Sequence, residues 1–407
     1  MMAEKAENAA ENAVHGLDGA WTRADWAAWT LEEVDVLLRE YEGLGRAVEL
    51  TAVSPRPFSA AARVRTTVGC VFVKRHGCMV RSPGSLAEEH AFAAWLAART
   101  PLVTAPLRAR DGRTTITIKV GRVEWTCEAF PIAPGQDVYE HAIAWTPYRN
   151  RQHGRAAGAS LAEFHLAARE FAAPARSVAP LVTSYTLLPA ADPCTAFAAY
   201  LAARSKLEMW LDKQRGNSAA EAVFARWFLP QHERLRESMR NESSKVLQPL
   251  WTHNDWHGSN LMWSSAGEDA RVTAVVDFGL ADRTCAAHDV ATAIERCAVD
   301  WLALGNGGVP IARVEQAAAL LDGYEERVRL TRPERAAIAA MLPIVHCEFA
   351  LTEMDYFLRV LGDEQRARVA WETYFIGHCA WFESFEGMRW MEWMQAWTED
   401  ATTEDAG

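Results

Sequence analysis

The chain has 407 residues, of which 50% are hydrophobic and 23% charged, a composition typical of a folded protein with one large or two ordinary domains. Its formal net charge is −11 and it has no long cluster of lysine and arginine, so we do not expect nucleic acid as a partner. No run approaches the roughly 18 apolar residues of a membrane span, and the start lacks the pattern of a secretory signal. The eight cysteines have no metal-ligand spacing, and we interpret them as small core residues of a cytoplasmic protein.

The first part of the chain predicts a small lobe of strands and helices. Short β-branched runs separated by turn residues indicate antiparallel strands, and 3.6-residue periodicity indicates the helices. In chain order, the predicted elements are a helix capped by Thr30, strands at 46–53, 62–68 and 70–76, a helix at 86–100, and strands at 114–120 and 122–130 joined by a turn at Gly121.

Prolines and a glycine in the segment 131–137 predict a hinge, after which the pattern becomes mainly helical. In this later part we expect only one short β segment, at 270–278. The predicted organisation is a disordered tail at 1–20, a nucleotide-binding lobe at 21–130, a catalytic and substrate lobe at 131–395, and an acidic tail at 396–407.

The stretch THNDWHGSN, at 252–260, has the spacing of a kinase catalytic loop. His253, Asp255 and Asn260 give H-x-D-x-x-x-x-N, and Asp277 begins a D-F-G after the following β segment. Phosphoryl transfer needs a carboxylate near the attacking hydroxyl and hard oxygen ligands for magnesium. The motifs therefore predict Asp255 as the base, and Asn260 and Asp277 as Mg²⁺ ligands.

A kinase of this kind also needs a lysine for the nucleotide phosphates and a helix glutamate that pairs with it. Lys74 ends the predicted strand CVFVK, and Glu88 and Glu89 both lie early on the next helix. Lys74 is therefore the expected phosphate ligand, with either glutamate as its partner.

The loop resembles the H-G-D-x-H-x-x-N motif of the aminoglycoside phosphotransferase, choline kinase and homoserine-kinase-like superfamily. His253, Asp255, His257 and Asn260 match this motif, whereas Asn254 replaces the common glycine, as it does in choline kinases. The resemblance implies an α+β, bilobal, protein-kinase-like fold, with an antiparallel sheet and one helix in a small N-terminal lobe and a large, mainly helical C-terminal lobe. It also places His253 and His257 beside Asp255 in the catalytic set, as scaffolding of the loop.

The resemblance further implies a phosphotransferase with an alcohol acceptor that uses ATP, with GTP as an alternative donor, and Mg²⁺. It favours Glu89 over Glu88, and it implies that Asp289 supports the catalytic loop through backbone hydrogen bonds. The expected nucleotide-site residues are Lys74, Glu89, Ser59 in a glycine-free loop, and Glu128 and Phe130, whose backbone would meet adenine.

The acceptor is expected to be a small hydroxyl compound, of choline or ethanolamine, homoserine, amino-sugar or aminoglycoside type. Glu348, Glu353 and Asp355 lie at helical spacing beside aromatic residues, which suits an ammonium group. The alternative is that Asp355 pairs with Arg359 on a solvated face and that the rings are core. No sequence feature supports a homodimer.

Two other classes of function were weighed. A histidine and aspartate metal hydrolase could use His253, His257, His288 and Asp289, but Gly258 argues against a continuous helix through the first two histidines. A catalytically silent nucleotide-binding protein of the same fold is the second alternative, although every catalytic residue type is present.

Overall fold

The computed structural model describes residues 13–15, 21–54, 58–142, 144–176, 185–239 and 246–400. The described residues fall into two compact units. The first is drawn from Met1–Gly135, Arg176–Val178 and Ala274–Val276, and the second from Gln136–Ala175, Ala179–Thr273 and Asp277–Gly407. Most of the predicted tails at 1–20 and 396–407 lies outside the described residues.

An antiparallel five-stranded sheet, in the order β3-β4-β5-β7-β6, forms the centre of the first unit. The predicted strands and the turn at Gly121, with φ +60°, are confirmed. The elements of this unit are β1 (Ala13–His15), β2 (Trp21–Arg23), α1 (Leu31–Leu38), β3 (Ala47–Val53), β4 (Ala60–Thr66), β5 (Cys70–Gly77), α2 (Pro83–Ala97), β6 (Ile116–Val120) and β7 (Val123–Pro131).

Helix α1 covers one face of this sheet. It begins with the predicted cap, where the Thr30 hydroxyl accepts a hydrogen bond from Glu33 N and the Glu33 carboxylate accepts one from Thr30 N. Its buried residues Val34, Leu37 and Leu38 join the core formed by alternate residues of the strands. The other face is therefore left for the remaining polar residues of β5 and β7.

The second unit is mainly helical, as predicted. Its helices are α3 (Arg151–Ala168), α4 (Pro193–Ala202), α5 (Ser205–Leu211), α6 (Ala220–Val223), α7 (Leu229–Ser238), α8 (Ala286–Ala298), α9 (Leu302–Gly305), α10 (Val314–Glu325), α11 (Arg332–Met341), α12 (Cys347–Asp355), α13 (Glu364–Val369), α14 (Gly377–Trp381) and α15 (Phe385–Glu399). Wider π-helical turns at Phe224–Phe228, Tyr356–Leu361 and Ala370–Ile376 join neighbouring helices. In the described part of the chain we find no helix with the length and apolar character that crossing a membrane requires.

The expectation of a single β segment after the hinge is wrong. Among the residues described there, the structure has four short strands, β8 (Pro249–Thr252), β9 (Leu261–Trp263), β10 (Val272–Val275) and β11 (Asp282–Cys285). Strand β8 pairs with β11, and β9 with β10. Strands of three or four residues have too little alternation to stand out from the surrounding loops, and their pairing defines them.

Candidate active site

The loop at 253–260 leaves strand β8, whose Thr252 is paired with Asp282 of β11. Asp289, near the start of α8, holds the beginning of this loop. Its Oδ2 accepts a hydrogen bond from His253 N at 3.0 Å, and its Oδ1 accepts one from Asn254 N at 2.8 Å. The predicted support of the loop by Asp289 is confirmed. These bonds also hold Asn254 at φ +61°, a left-handed conformation that asparagine tolerates better than most residues.

Asp255 is the accessible residue in the first part of the loop. From Trp251 to Gly258 every other residue is buried, whereas the Asp255 side chain is 21% exposed. Position 258 requires a glycine for steric reasons, because a Cβ there would lie 2.8 Å from the Tyr139 ring. The stretch from Trp251 to Gly258 is thus buried except at Asp255.

An arginine, a histidine and an amide hold the Asp255 carboxylate. Arg296 Nε lies 3.2 Å from Oδ1, His257 Nε2 lies 3.4 Å from Oδ2, and Asn260 Nδ2 donates to Oδ2 at 3.0 Å. Burial raises the pKa of Asp255, but His257 and Arg296 outweigh it and leave that pKa below its usual range. Asp255 is therefore ionised at neutral pH.

Asn260 and Asp277 offer oxygen atoms of the kind that Mg²⁺ prefers. The Asn260 amide nitrogen donates to Asp255 and also contacts His257 Nε2 at 3.1 Å, so its oxygen is directed away from the base. Asp277 is exposed and has φ +60°, an unusual backbone conformation for a residue other than glycine. The chemistry of both side chains fits a magnesium ligand.

The two histidines of the loop have different surroundings. His253 is fully buried, and its ring makes edge contacts with Phe164, Trp256 and Phe278. His257 is hydrogen bonded through Nδ1 to Ser259 at 2.9 Å. The His253 ring thus packs among aromatic residues, and the His257 ring contacts residues of its own loop.

Arg296 and its neighbours were not predicted from the sequence. Besides Asp255, Arg296 contacts Glu295 through Nη1 at 3.3 Å. Glu295 in turn accepts a hydrogen bond from the Trp145 indole at 2.8 Å, and the Trp145 ring stacks on Tyr374. A signal for Arg296 existed, because seven residues separate it from Asp289 and thus place both on one face of α8.

The three acids of the predicted acceptor site divide into two groups. Glu348 accepts hydrogen bonds from the backbone N–H groups of 186–188, and Asp355 pairs with Arg359 at 3.2 Å. Glu353 lies in the electrostatic field of Asp255 and Arg296, and burial raises its pKa to about 7. Of the three acids, Glu353 is therefore the one whose charge interacts with Asp255 and Arg296.

In the first unit, Lys74 lies on the sheet face opposite the α1 core. It is buried, and its partner in the register of β5 and β7 is Glu128. The Glu128 carboxylate is bound on both oxygens, by His76 Nε2 at 2.9 Å and His90 Nε2 at 2.6 Å. Burial opposes ionisation of Glu128, but these two histidines hold its pKa well below the usual value.

The remaining predicted nucleotide residues also belong to this unit. Glu89 pairs with Arg176 at 3.3 Å and Arg81 at 3.9 Å, and its pairing with Lys74 stays a prediction. Ser59 lies half-buried in the bend before β4. Phe130 packs edge-on against the His90 ring.

The direction of the backbone groups of β7 bears on the adenine contact that is expected at this strand. Ala129 O accepts a hydrogen bond from Leu107 N, on the side of β7 away from β5. Because backbone groups alternate sides along a strand, those of Glu128 and Phe130 point towards β5. The adenine contact at these two residues stays a prediction.

Residues 56–339 match the sequence model of the phosphotransferase enzyme family. Among curated proteins no relative matches. The structure of a microcompartment-associated aminopropanol kinase aligns over 88% of this chain and 99% of its own, with a TM-score of 0.58 and 17% identity. The structure of an amicoumacin kinase in complex with AMP-PNP, Ca²⁺ and Ami aligns over 83% of this chain and 92% of its own, with a TM-score of 0.51 and 14% identity. The structure of an aminoglycoside phosphotransferase from Alicyclobacillus acidocaldarius aligns over 92% of this chain and 98% of its own, with a TM-score of 0.50 and 14% identity. These similarities show that the chain has the same fold.

Proposed function

Because this chain belongs to the phosphotransferase enzyme family, we propose that it transfers the γ-phosphate of ATP, with GTP as an alternative, to a hydroxyl of a small acceptor. The observation that carries the proposal is the state of Asp255. It is the one carboxylate exposed by an otherwise buried loop from Trp251 to Gly258, and Asp289 fixes the backbone on which it stands.

In the proposed reaction, Asp255 accepts a hydrogen bond from the acceptor hydroxyl and aligns its oxygen with the phosphorus. A carboxylate with a low pKa is a weak base, which suits a loose transition state in which the hydroxyl proton leaves late. Arg296 and Asn260 would hold the carboxylate in one orientation, so that little reorganisation is needed when the acceptor arrives.

Asn260 and Asp277 would hold Mg²⁺, through the amide oxygen and the carboxylate. When bound, this ion neutralises charge on the phosphates. Lys74 would bind the phosphates, Glu89 or Glu88 would orient it, and Ser59 and the strand around Glu128 and Phe130 would contact the nucleotide. The AMP-PNP complex of the structurally similar amicoumacin kinase supports the use of a nucleotide.

We further propose an acceptor that carries an amine. Glu353 and Glu295 are buried acids near Arg296 and Asp255, and the Trp145 ring is hydrogen bonded to Glu295. Carboxylates beside an aromatic ring attract an ammonium group by charge and by cation–π interaction. The similarity in fold to an aminopropanol kinase supports testing short amino alcohols first.

The role of Asp255 is tested with Asp255→Asn, which keeps the size of the side chain and removes its charge. We expect transfer of labelled γ-phosphate to fall by about 10²- to 10⁴-fold, with ATP affinity unchanged. Asp269→Asn is the matched control, because Asp269 is an exposed acid of the same unit whose carboxylate accepts a hydrogen bond from Ser265. Full activity of Asp255→Asn would refute the role.

The acceptor is tested with aminopropanol, ethanolamine, choline, homoserine, amino sugars and aminoglycosides, each with Mg²⁺ and either ATP or GTP. Glu353→Gln should raise the Michaelis constant of the best amine acceptor more than it lowers the turnover number. If nucleotide binds and no hydroxyl compound is phosphorylated, the catalytically silent alternative is favoured.

A further inference from the structure

Two His-Cys dipeptides, His346-Cys347 and His378-Cys379, meet in the core of the second unit. The first begins α12, and the second lies within α14. All four side chains are at least 94% buried. The Sγ atoms of Cys347 and Cys379 are 3.8 Å apart, and His346 Nε2 lies 3.9 Å from Cys347 Sγ.

These separations suit a single metal ion. Zinc binds thiolate sulfur at about 2.3 Å and imidazole nitrogen at about 2.1 Å, so tetrahedral geometry separates two sulfurs by about 3.8 Å and a sulfur and a nitrogen by about 3.6 Å. The donor atoms of His346, Cys347 and Cys379 all lie within 4.8 Å of one another. Shifts of less than about 1 Å would therefore bring all three into the first coordination sphere of one ion.

The imidazole rings supply a second, independent observation. Among the described residues, neither ring nitrogen of His378 has a hydrogen-bond partner, and neither does His346 Nδ1. The carboxylate oxygen Glu295 Oε1 is 3.7 Å from His378 Nδ1, beyond hydrogen-bond distance. Buried polar atoms are normally hydrogen bonded, so unpartnered ring nitrogens beside two thiols indicate a missing ligand.

We propose that His346, Cys347 and Cys379 form a buried site for a thiophilic metal ion, Zn²⁺ in the first instance, with His378 as the nearest candidate for the fourth ligand. The ring centroids of His346 and His378 are 4.2 Å apart, which places His378 next to the three proposed ligands. Two thiolates, two neutral imidazoles and one Zn²⁺ carry no net charge, which removes the penalty for burying an ion in the core.

Metal binding would replace two weak contacts and release thiol protons to solvent. His346 Nε2 is 3.3 Å from Phe375 O, and Cys379 Sγ is 3.8 Å from Pro343 O. A disulfide between the two cysteines would leave the histidine nitrogens unpartnered and would require an oxidant. A metal ion would use both sulfurs and one nitrogen of each ring, including a nitrogen of His378 that has no partner among the described residues.

The test uses the full chain, reduced and freed of metal, titrated with Zn²⁺ alone and with Co²⁺ alone. We expect one equivalent of either ion to bind, and the cobalt complex to show thiolate charge-transfer and tetrahedral d–d absorption. Absence of binding, a cobalt spectrum without thiolate bands, or a Cys347–Cys379 disulfide in the metal-free protein would overturn the proposal. These readouts do not depend on phosphoryl transfer.

Cys347→Ser and Cys379→Ser should each weaken Zn²⁺ binding by at least about 100-fold. Cys297→Ser is the matched control, because Cys297 is equally buried in the same unit and lies outside the cluster, and it should bind like the wild type. Wild-type affinity in both cluster variants would contradict the assignment. If they do not fold, His346→Gln and the cobalt spectrum of the wild type test the same ligands.

Discussion

Replacing Asp289 with asparagine should both destabilise the protein and slow phosphoryl transfer. The carboxylate is fully buried and accepts three hydrogen bonds, from His253 N, Asn254 N and His165 Nε2, at 3.0, 2.8 and 3.0 Å. Asparagine has one oxygen, so at least one of these donors would face an NH₂ group instead of an acceptor.

The magnitude follows from the three bonds. The most favourable orientation of asparagine loses the bond to Asn254 N and keeps the two at Oδ2, now made to a neutral acceptor. A charge-assisted hydrogen bond is worth about 1.5 to 3 kcal/mol and a neutral one about half of that, so the loss should be about 3 to 6 kcal/mol. Because Asn254 would no longer be held at φ +61°, a shift of the loop should also lower the turnover number by about 100-fold.

Urea denaturation and initial-rate kinetics measure the two effects. Asp322→Asn is the control, because Asp322 is 47% exposed and makes a surface ion pair with Arg151, worth less than about 1 kcal/mol. If Asp289→Asn is within about 1 kcal/mol of the wild type and fully active, the hydrogen bonds of Asp289 do not position the loop.

Two further predictions concern the second unit. Gly158→Ala should destabilise this unit by about 3 kcal/mol, because the new Cβ would lie 1.9 Å from Leu320 O, between α3 and α10. Gly69→Ala is the control, because a Cβ at Gly69 would meet nothing within 4 Å. Equal melting temperatures of the two variants would contradict this packing. Burial raises the pKa of Glu353 from 4.5 to about 7, so between these pH values the unfolded chain has lost a proton that the folded chain keeps. The free energy of unfolding should therefore fall by about 3 kcal/mol as pH rises from 4.5 to 7 and show no further fall from this group above pH 7. Glu353→Gln should lack this fall, and parallel curves of stability against pH for the two proteins would contradict the prediction.

Sequence predicts this fold well where the signal is local. The strands around Lys74 and the helix capped by Thr30 follow from patterns within a few residues, and the structure confirms them. The catalytic loop is equally local, since eight residues include His253, Asp255 and Asn260. Spacing could also have identified Arg296, by its position two helical turns beyond Asp289.

Contacts between distant segments give no such signal. Trp145 reaches Glu295 across 150 positions, through packing that no periodicity encodes. The cysteines show the same limit, because Cys347 and Cys379 have no motif spacing, yet their helices bring the sulfurs together. The expectation that cysteines are core residues is right for these two but wrong for Cys70 and Cys194, which are exposed.

Helix α8 determines the position of the base more directly than the loop that contains it. Its first turn holds the loop backbone through Asp289, and its last turn holds the Asp255 carboxylate through Arg296. One rigid helix therefore positions both the backbone of the loop and the side chain of the base. Arg296 is in turn oriented by Glu295, whose carboxylate lies 3.7 Å from His378.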